Sequence, residues 1–533
     1  MAQFDYVIVG AGSAGCVLAN RLSADPGTSV LLVEAGDQDT SPLIAMPRGF
    51  GQLLGDPNSA WHFPTRPFGP TQQVEHWVRG KTLGGSSAVN GMIYNRGQRP
   101  DWDEIELLGN PGWGWDSMLP VFKTIEDNPL GASDVRGEGG PLRVSTVGGD
   151  DPLLEDVIAA GTELGWRRTH DLNEADGERI GYATATIRDG VRVTAAGAFL
   201  HPVLDRPNLT VLVQLIVDQV VIQGGRAVGV RGRQNGQAVE AVANREVILA
   251  AGALATPKIL QLSGLGPADK LRSAGVQIVV DSPNVGGRMR EHRVFVLQFR
   301  LAEELGYNRF LSTPEGQAEA MERYQTSRTG VMAAPSFDIA GFFKSRPELD
   351  RPDAQFQIAP FSMLPLEPGQ PLQIEHEPGM MCIGYMLRPD SEGHVHITSA
   401  DPDAPLDIDA NYLATEHDRA ASVHVFRGLR RLFATGPLAK RVEHETVPGP
   451  DVQSDQQIVD AGLVAGTPGY HAVRTCAMGP NDDDVVDTRL RVRGVTNLRV
   501  VDASVLPIMV SGNLGGPVSA LAWRAADFIL EDA

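Results

Sequence analysis

Gly10, Gly12 and Gly15 are spaced as a turn that can hold a pyrophosphate. Glu34 follows about twenty residues on, where an acid accepts hydrogen bonds from ribose hydroxyls. Each glycine has a physical reason. Gly10 allows a tight turn, Gly12 lets the backbone approach the phosphates, and Gly15 lets a helix pack close to a strand. Ser13 and Ala14 open that helix, whose first N–H groups and positive dipole end would face the phosphates. The negative charge of Glu34 repels a 2′-phosphate, which argues against NADP and leaves FAD and NAD open.

The surrounding elements position these residues. Residues 6–9 form a short β-branched run, read as a buried parallel strand. Ala14, Val17, Leu18 and Leu22 share one helical face. Residues 30–33 give a second strand that ends at Glu34 and Ala35. Strand, glycine turn, helix, strand and acid together make a dinucleotide-binding unit. A bare glycine pattern in a chain with 59 glycines would not. A second small-residue loop runs Gly84-Gly85-Ser86-Ser87, then Asn90 and Gly91, into Met92 and Ile93. Its free N–H groups suit the edge and pyrophosphate end of a flavin.

Composition bounds the rest. The 59 glycines and 37 prolines are about half as many again as an average chain of 533 residues carries, which points to many turns. A net charge of −20 argues against a nucleic-acid surface and against anionic lipid. Cys16, Cys382 and Cys476 form no Cys-x-x-Cys pair, so neither a disulfide framework nor a metal site is expected. No apolar run is long enough to span a membrane, and a cytoplasmic protein is the expectation.

Residues 36–78, with Pro42, Pro47, Pro57, Pro64, Pro67 and Pro70, read as an irregular excursion over an extended cofactor. Trp61 and Trp77 lie in it, for packing or for a cofactor contact. Residues 209–213, 217–222 and 227–233 alternate as an antiparallel meander. Residues 247–253, including Ala251, repeat the strand-to-glycine pattern, and residues 498–501 form a strand tipped by Asp502. Residues 355–359 and 394–398 read as strands of a second sheet, 416–433 as a helix, and 518–529 as a closing helix. The fold class is α/β. A doubly wound, Rossmann-like cofactor domain comprises residues 1–155, 195–300 and 480–533. A second, α+β substrate domain with a mostly antiparallel sheet comprises 156–194 and 301–479.

With the N-terminal unit, residues 79–97 resemble the glucose–methanol–choline (GMC) oxidoreductases, a family of FAD flavoproteins. Residues 252–267 resemble that family's second signature. Residues 285–292 are similar to its VGxNLxDH element, with Arg288 and Met289 as departures. Tyr470-His471 through Gly479 resembles the active-site histidine segment, and Asp502-Ala503-Ser504 with Ser511-Gly512-Asn513 the C-terminal flavin segment. The resemblance covers nearly the whole chain. It implies FAD, with Gly10, Gly12, Ser13, Ala14 and Gly15 at the pyrophosphate, Glu34 and Ala35 at the adenosine ribose, and Val217 at adenine through its backbone. Trp61, Arg79, Thr82, Gly85, Ser86, Asn90 to Ile93, Ala251, Tyr470, Asp502, Ala503, Asn513 and Leu514 would complete the cofactor site. Some members attach FAD through a histidine whose place here is Val89, so the cofactor is expected without a covalent link.

The resemblance also implies a reaction. Oxidising an alcohol removes a proton from oxygen and a hydride from carbon, which flavin N5 can accept. A neutral imidazole suits the proton, and His471 is the implied base. Two departures stand out. The family's second polar partner falls on Gly515, and Arg474 stands where glycine is common. Three accounts are open: Asn513 serves as partner, Arg474 supplies a cation at the site, or His471 works alone against an apolar wall. Arg474 in an outward salt bridge is the plain alternative. The N-terminus of the last helix, if aimed at the flavin, would favour negative charge there. The expected function is oxidation of a small primary alcohol, aromatic ones included, with oxygen or a quinone-type carrier as electron acceptor. The alternative is a non-redox lyase of the hydroxynitrile lyase type, or a light-driven decarboxylase. The oligomeric state is open.

Overall fold

The computed structural model describes residues 2–146, 148–149, 151–364 and 373–533. Two sheets organise it. In the first, Leu209–Leu212, Val30–Val33, Ala2–Val9 and the second half of Gln237–Leu249 run parallel, with Leu498–Val500 beyond. Val30 to Val33 and Val247 to Leu249 are buried throughout, as strands covered on both faces must be. Ser13–Leu22 and Gly515–Asp532 pack together over this sheet.

The antiparallel part is smaller than expected. Leu215–Gln223 and Arg226–Gln234 form a hairpin that joins the first half of Gln237–Leu249. Residues 209–212 instead pair parallel with Val30–Val33 at the opposite edge. Gln214, at φ +57°, turns the chain away between the two.

The second sheet runs Val442–Val447, Arg293–Leu301, Gly379–Met386, Ala354–Ala359, Ile339–Phe343, Arg179–Tyr182, Arg167–Arg168, with Thr467–Pro468 beside Arg293–Leu301. All pairs are antiparallel except the last of that order. One face carries Phe356 and Phe343 against Trp166, and Phe299 stacks on Phe433 of the helix Glu416–Phe433 at 3.8 Å. Sheet membership moves two expected domain boundaries. Arg293–Leu301 lies wholly in the second sheet, so the cofactor unit ends near 292 and not at 300. A boundary at 155 cuts the helix Pro152–Glu163, whose Leu153, Leu154, Val157 and Ile158 pack in the second core. His394–Ile397 also departs from expectation. Among the described residues it pairs only with Leu406–Asp409, as a separate hairpin.

The excursion at 36–78 is partly regular. Ala60–Pro64 and His76–Gly80 form a hairpin that sets Trp61 opposite Arg79. Trp77 is fully buried, and Trp61 packs near Phe63 with the Lys81 ammonium 4.5 Å from its ring.

Candidate active site

Two histidines meet where the second sheet begins. Arg293 and Val294 pair with Pro468 and Thr467, and Arg290 exchanges backbone hydrogen bonds with Val473. The resulting ribbon brings His292 and His471 together with their rings nearly perpendicular, 86° apart, and Gly469 beside them. A Cβ on Gly469 would lie 2.8 Å from the His292 Cβ and 2.9 Å from His471 Nδ1, so only glycine lets the rings approach. Glu291 Oε1 accepts the backbone N–H of both residues, at 2.9 Å from His292 and 2.7 Å from His471. Tyr470 and Arg474 flank the segment at φ +61° and +72°. Left-handed backbone at non-glycine residues is held there by these cross-links.

The hydrogen-bond chain fixes the tautomers. The Leu387 carbonyl can only accept, so His292 Nε2–H donates to it at 2.9 Å. A neutral imidazole has one N–H, which makes His292 Nδ1 an acceptor. His471 Nδ1–H donates to it, again at 2.9 Å. His471 Nε2 is then a bare lone pair. Both rings are buried, and burial is the chief reason they stay neutral: it pulls His292 down to about 4 and His471 well below its ordinary value. The second ring and the Arg79 guanidinium push His471 further the same way. Burial pushes the Glu291 carboxyl up to about 7, against Arg79 and its backbone donors.

Asn513 Nδ2 lies 3.3 Å from His471 Nε2. Its orientation is set from behind, because Gln355 Nε2 (3.2 Å) and Gln357 Nε2 (3.1 Å) both donate to Asn513 Oδ1. Tyr385 O–H in turn donates to Gln355 Oε1 at 2.6 Å. Gly515 leaves open space: the nearest atom to a Cβ there would be Asn90 Nδ2, at 3.9 Å. Arg474 points elsewhere. Its guanidinium pairs with Glu392, which also holds Arg290. The account that brought Arg474 to the base is therefore corrected to the outward salt bridge.

Sequence reasoning missed Glu291, Gln355, Gln357 and Tyr385, and gave His292 no role. One signal was present: Gln355 and Gln357 alternate with Phe356 and Ile358 in a strand that is buried throughout, which marks a polar face inside the molecule.

The residues expected around FAD make a cradle. Gly84 N–H donates to the Ala11 carbonyl at 2.8 Å, tying the two glycine loops together. A Cβ on Gly85 would lie 2.7 Å from Gly12 Cα, and one on Gly15 1.8 Å from the Gly10 carbonyl oxygen. A Cβ on Gly12 would touch nothing nearer than 4.0 Å, so its face is open to a ligand at the start of the first helix, where Ser13 and Ala14 sit. Glu34 accepts Ala11 N–H and Gly36 N–H, both at 2.9 Å, which anchors its carboxylate beside Ala35 at the strand end. These features fit a bound dinucleotide. Several expected contacts instead brace the cradle. Asp502 accepts from Gly252 N–H (2.9 Å) and Thr256 O–H (2.6 Å), joining the turn at Ala251 to Ala503. Thr82 donates to the Asp37 carbonyl, Ser86 Oγ accepts Gly80 N–H, and Val217 sits in a paired strand opposite Gly232. Arg79 lies 3.7 Å from Glu291 and 5.8 Å from the Tyr470 ring, on the His471 side. Ile93 packs with Tyr385 and Leu387, Met92 adopts φ +66°, and Leu514 caps the last helix. Val89 is packed among Ile44, Leu53 and Ala88 and offers no nucleophile for a covalent link.

Residues 4–294 and 389–522 match the family models described as GMC oxidoreductase. An alcohol dehydrogenase (acceptor) of Pseudomonas putida is 38% identical over 99% of this chain and 96% of its own length. Mitochondrial choline dehydrogenase of Mus musculus is 38% identical over 99% of this chain and 89% of its own. Among solved structures, pyridoxine 4-oxidase from Mesorbium loti superposes with a TM-score of 0.87 at 31% identity, covering 98% of both chains. A formate oxidase variant of Aspergillus oryzae superposes with a TM-score of 0.90 at 26% identity, covering 100% of this chain and 98% of its own.

Proposed function

The chain belongs to the GMC oxidoreductase family, FAD-dependent enzymes acting on CH–OH donors, and from that premise we propose that it oxidises a small, neutral primary alcohol to the aldehyde with His471 as the base. One observation carries the reading. The hydrogen-bond chain from Leu387 through His292 leaves His471 Nε2 unprotonated and 3.3 Å from the Asn513 amide. An alcohol hydroxyl that reaches both atoms from the side, in place of their direct 3.3 Å contact, accepts from the amide and gives its proton to the imidazole.

Held by the loops at Gly10 to Gly15 and Gly84 to Ile93, FAD would supply the hydride acceptor and so the oxidising half of the reaction. The residues do the rest. His471 is a weak base, because burial and Arg79 disfavour its cation. It therefore takes the proton as the carbon loses its hydride, not ahead of it. The imidazolium that forms keeps its Nδ1–H on His292 Nδ1, and that bond strengthens as it gains charge. The proton goes no further along this chain, since a backbone carbonyl ends it. Asn513 steadies the oxygen throughout, and its own oxygen is held by two glutamines.

The group at Nε2 is a neutral amide, and the Tyr385 ring, which packs in an apolar cluster with Ile93 and Leu387, lies 5.9 Å from that of His471. That lining favours an uncharged alcohol, aryl-substituted ones included. The lyase and decarboxylase readings rested on an empty partner position, and the Asn513 amide 3.3 Å from His471 Nε2 weighs against them. No helix among the described residues is long and apolar enough to cross a membrane. The test is anaerobic bleaching of the bound flavin near about 450 nm by a panel of aromatic, aliphatic, choline-like and sugar alcohols. Bleaching by neutral primary alcohols supports the reading, and bleaching by choline alone refutes the substrate class. Readmitting air tells oxygen from a carrier as the electron acceptor by the reoxidation rate.

A further inference from the structure

Arg192 is buried and, among the described residues, has no acidic partner; the phenol of Tyr324 is the ionisable group that bears on its charge. Its guanidinium meets neutral acceptors. Nε donates to the Ile44 carbonyl at 2.9 Å and one terminal nitrogen to the Pro47 carbonyl at 3.4 Å. The other donates to the Asn90 carbonyl (2.7 Å), Asn90 Oδ1 (3.0 Å) and the Ser87 carbonyl (3.3 Å). A buried charge left to neutral acceptors is costly unless an anion lies close by.

The same bonds aim donors the other way. In a trans peptide the C=O and N–H point in opposite directions. The Asn90 carbonyl faces Arg192, so the Gly91 N–H faces away from it, and it finds no acceptor among the described residues. Asn90 Oδ1 is shared by Arg192 and Met92 N–H (3.0 Å), which turns Asn90 Nδ2 outward toward Gly515. The cation thus sits behind a loop that turns two donors, the Gly91 N–H and Asn90 Nδ2, away from it.

We propose that Arg192 is the buried counter-ion of the dinucleotide cofactor and the positioning residue that aims the Gly91 N–H and Asn90 Nδ2 at it. The anionic phosphates of FAD neutralise a charge that the protein itself leaves unpaired. The proposal rests on the reading of residues 84–93 as part of the FAD cradle. It separates Arg192 from an ordinary structural staple, which would stabilise the protein with or without cofactor.

The test uses Arg192→Gln and Arg192→Lys. FAD is stripped, the apoprotein Tm is measured, and FAD is titrated back with flavin fluorescence as the readout. Arg192→Gln is expected to bind FAD at least about tenfold more weakly, while its apoprotein melts no lower than the wild-type apoprotein. Arg192→Lys keeps the charge and is expected to recover most of the affinity, although it loses the planar fork. The proposal is overturned if Arg192→Gln keeps wild-type FAD affinity, if its apoprotein loses stability or fails to fold, or if Arg192→Lys binds no better than Arg192→Gln. A wild-type apoprotein that takes up no FAD would overturn the cofactor reading itself, and the proposal with it.

Discussion

The Nδ1 atoms of His292 and His471 lie 2.9 Å apart, and the carbonyl of Leu387 decides which of them carries the hydrogen. Because that carbonyl takes the only N–H of His292, His471 must donate and its Nε2 must stay unprotonated. His292→Phe removes the acceptor and lets His471 adopt the other tautomer, with Nε2 protonated. Catalytic turnover should fall by roughly 10²–10⁴-fold, the scale of a lost tautomer lock, with KM nearly unchanged. Steady-state kinetics on the purified variant, fully loaded with FAD, checks this.

The depressed basicity of the pair sets the pH dependence. The base is active when neutral, so kcat/KM should fall on the acid side along a limb whose midpoint lies below 6.5, and stay flat from there through pH 8. Stability moves the same way. In the unfolded chain both imidazoles take up protons near 6.5, while folded His292 resists until about 4. The unfolded state then binds more protons over that window, so stability drops as the pH falls from 6.5 to 4. Urea midpoints at pH 7 and pH 5 should show a smaller drop in His292→Phe than in the wild type.

Asn513→Asp puts a carboxylate 3.3 Å from His471 Nε2 in place of an amide donor. An adjacent negative charge raises an imidazole pKa. The acid limb of kcat/KM should move up by at least about one unit, so the variant loses a larger share of its activity on acidification than the wild type does. Asn513→Ala should lose activity with no such shift of the limb.

Arg474→Gly is expected to be nearly silent. The pair with Glu392 is partly exposed, and such pairs contribute about 0–1 kcal/mol. Glycine relieves the left-handed backbone at φ +72°. A thermal melt and a rate measurement should both agree with the wild type within about twofold in rate. A large loss of rate would return Arg474 to the catalytic account.

The cofactor half of the fold was largely legible in the sequence because its signals are local. Residues 6–15 and 30–34 hold strand, turn, helix and acid within one stretch, and the structure keeps them in register. The catalytic half depends on pairings between distant segments. His292 meets His471 only because 293–294 pairs with 467–468, and no short spacing announces that contact. Asn513 and its glutamines are likewise far apart in the chain, and the motif spacing drew attention to Gly515 instead. Arg474 was ambiguous since a left-handed arginine can turn inward or outward, and its partner, Glu392, lies in a distant loop. Residues 209–212 were misread because strand alternation carries no information on which neighbour a strand chooses.

The most direct measurement is the anaerobic rate of flavin reduction by a benzylic alcohol at pH 7, in the wild type and in His471→Gln loaded equally with FAD. The account predicts bleaching in the wild type and a rate lower by about 10²–10⁴-fold in the variant. A variant that reduces its flavin as fast as the wild type would contradict His471 as the base, and a wild type that no alcohol reduces would contradict the reaction itself.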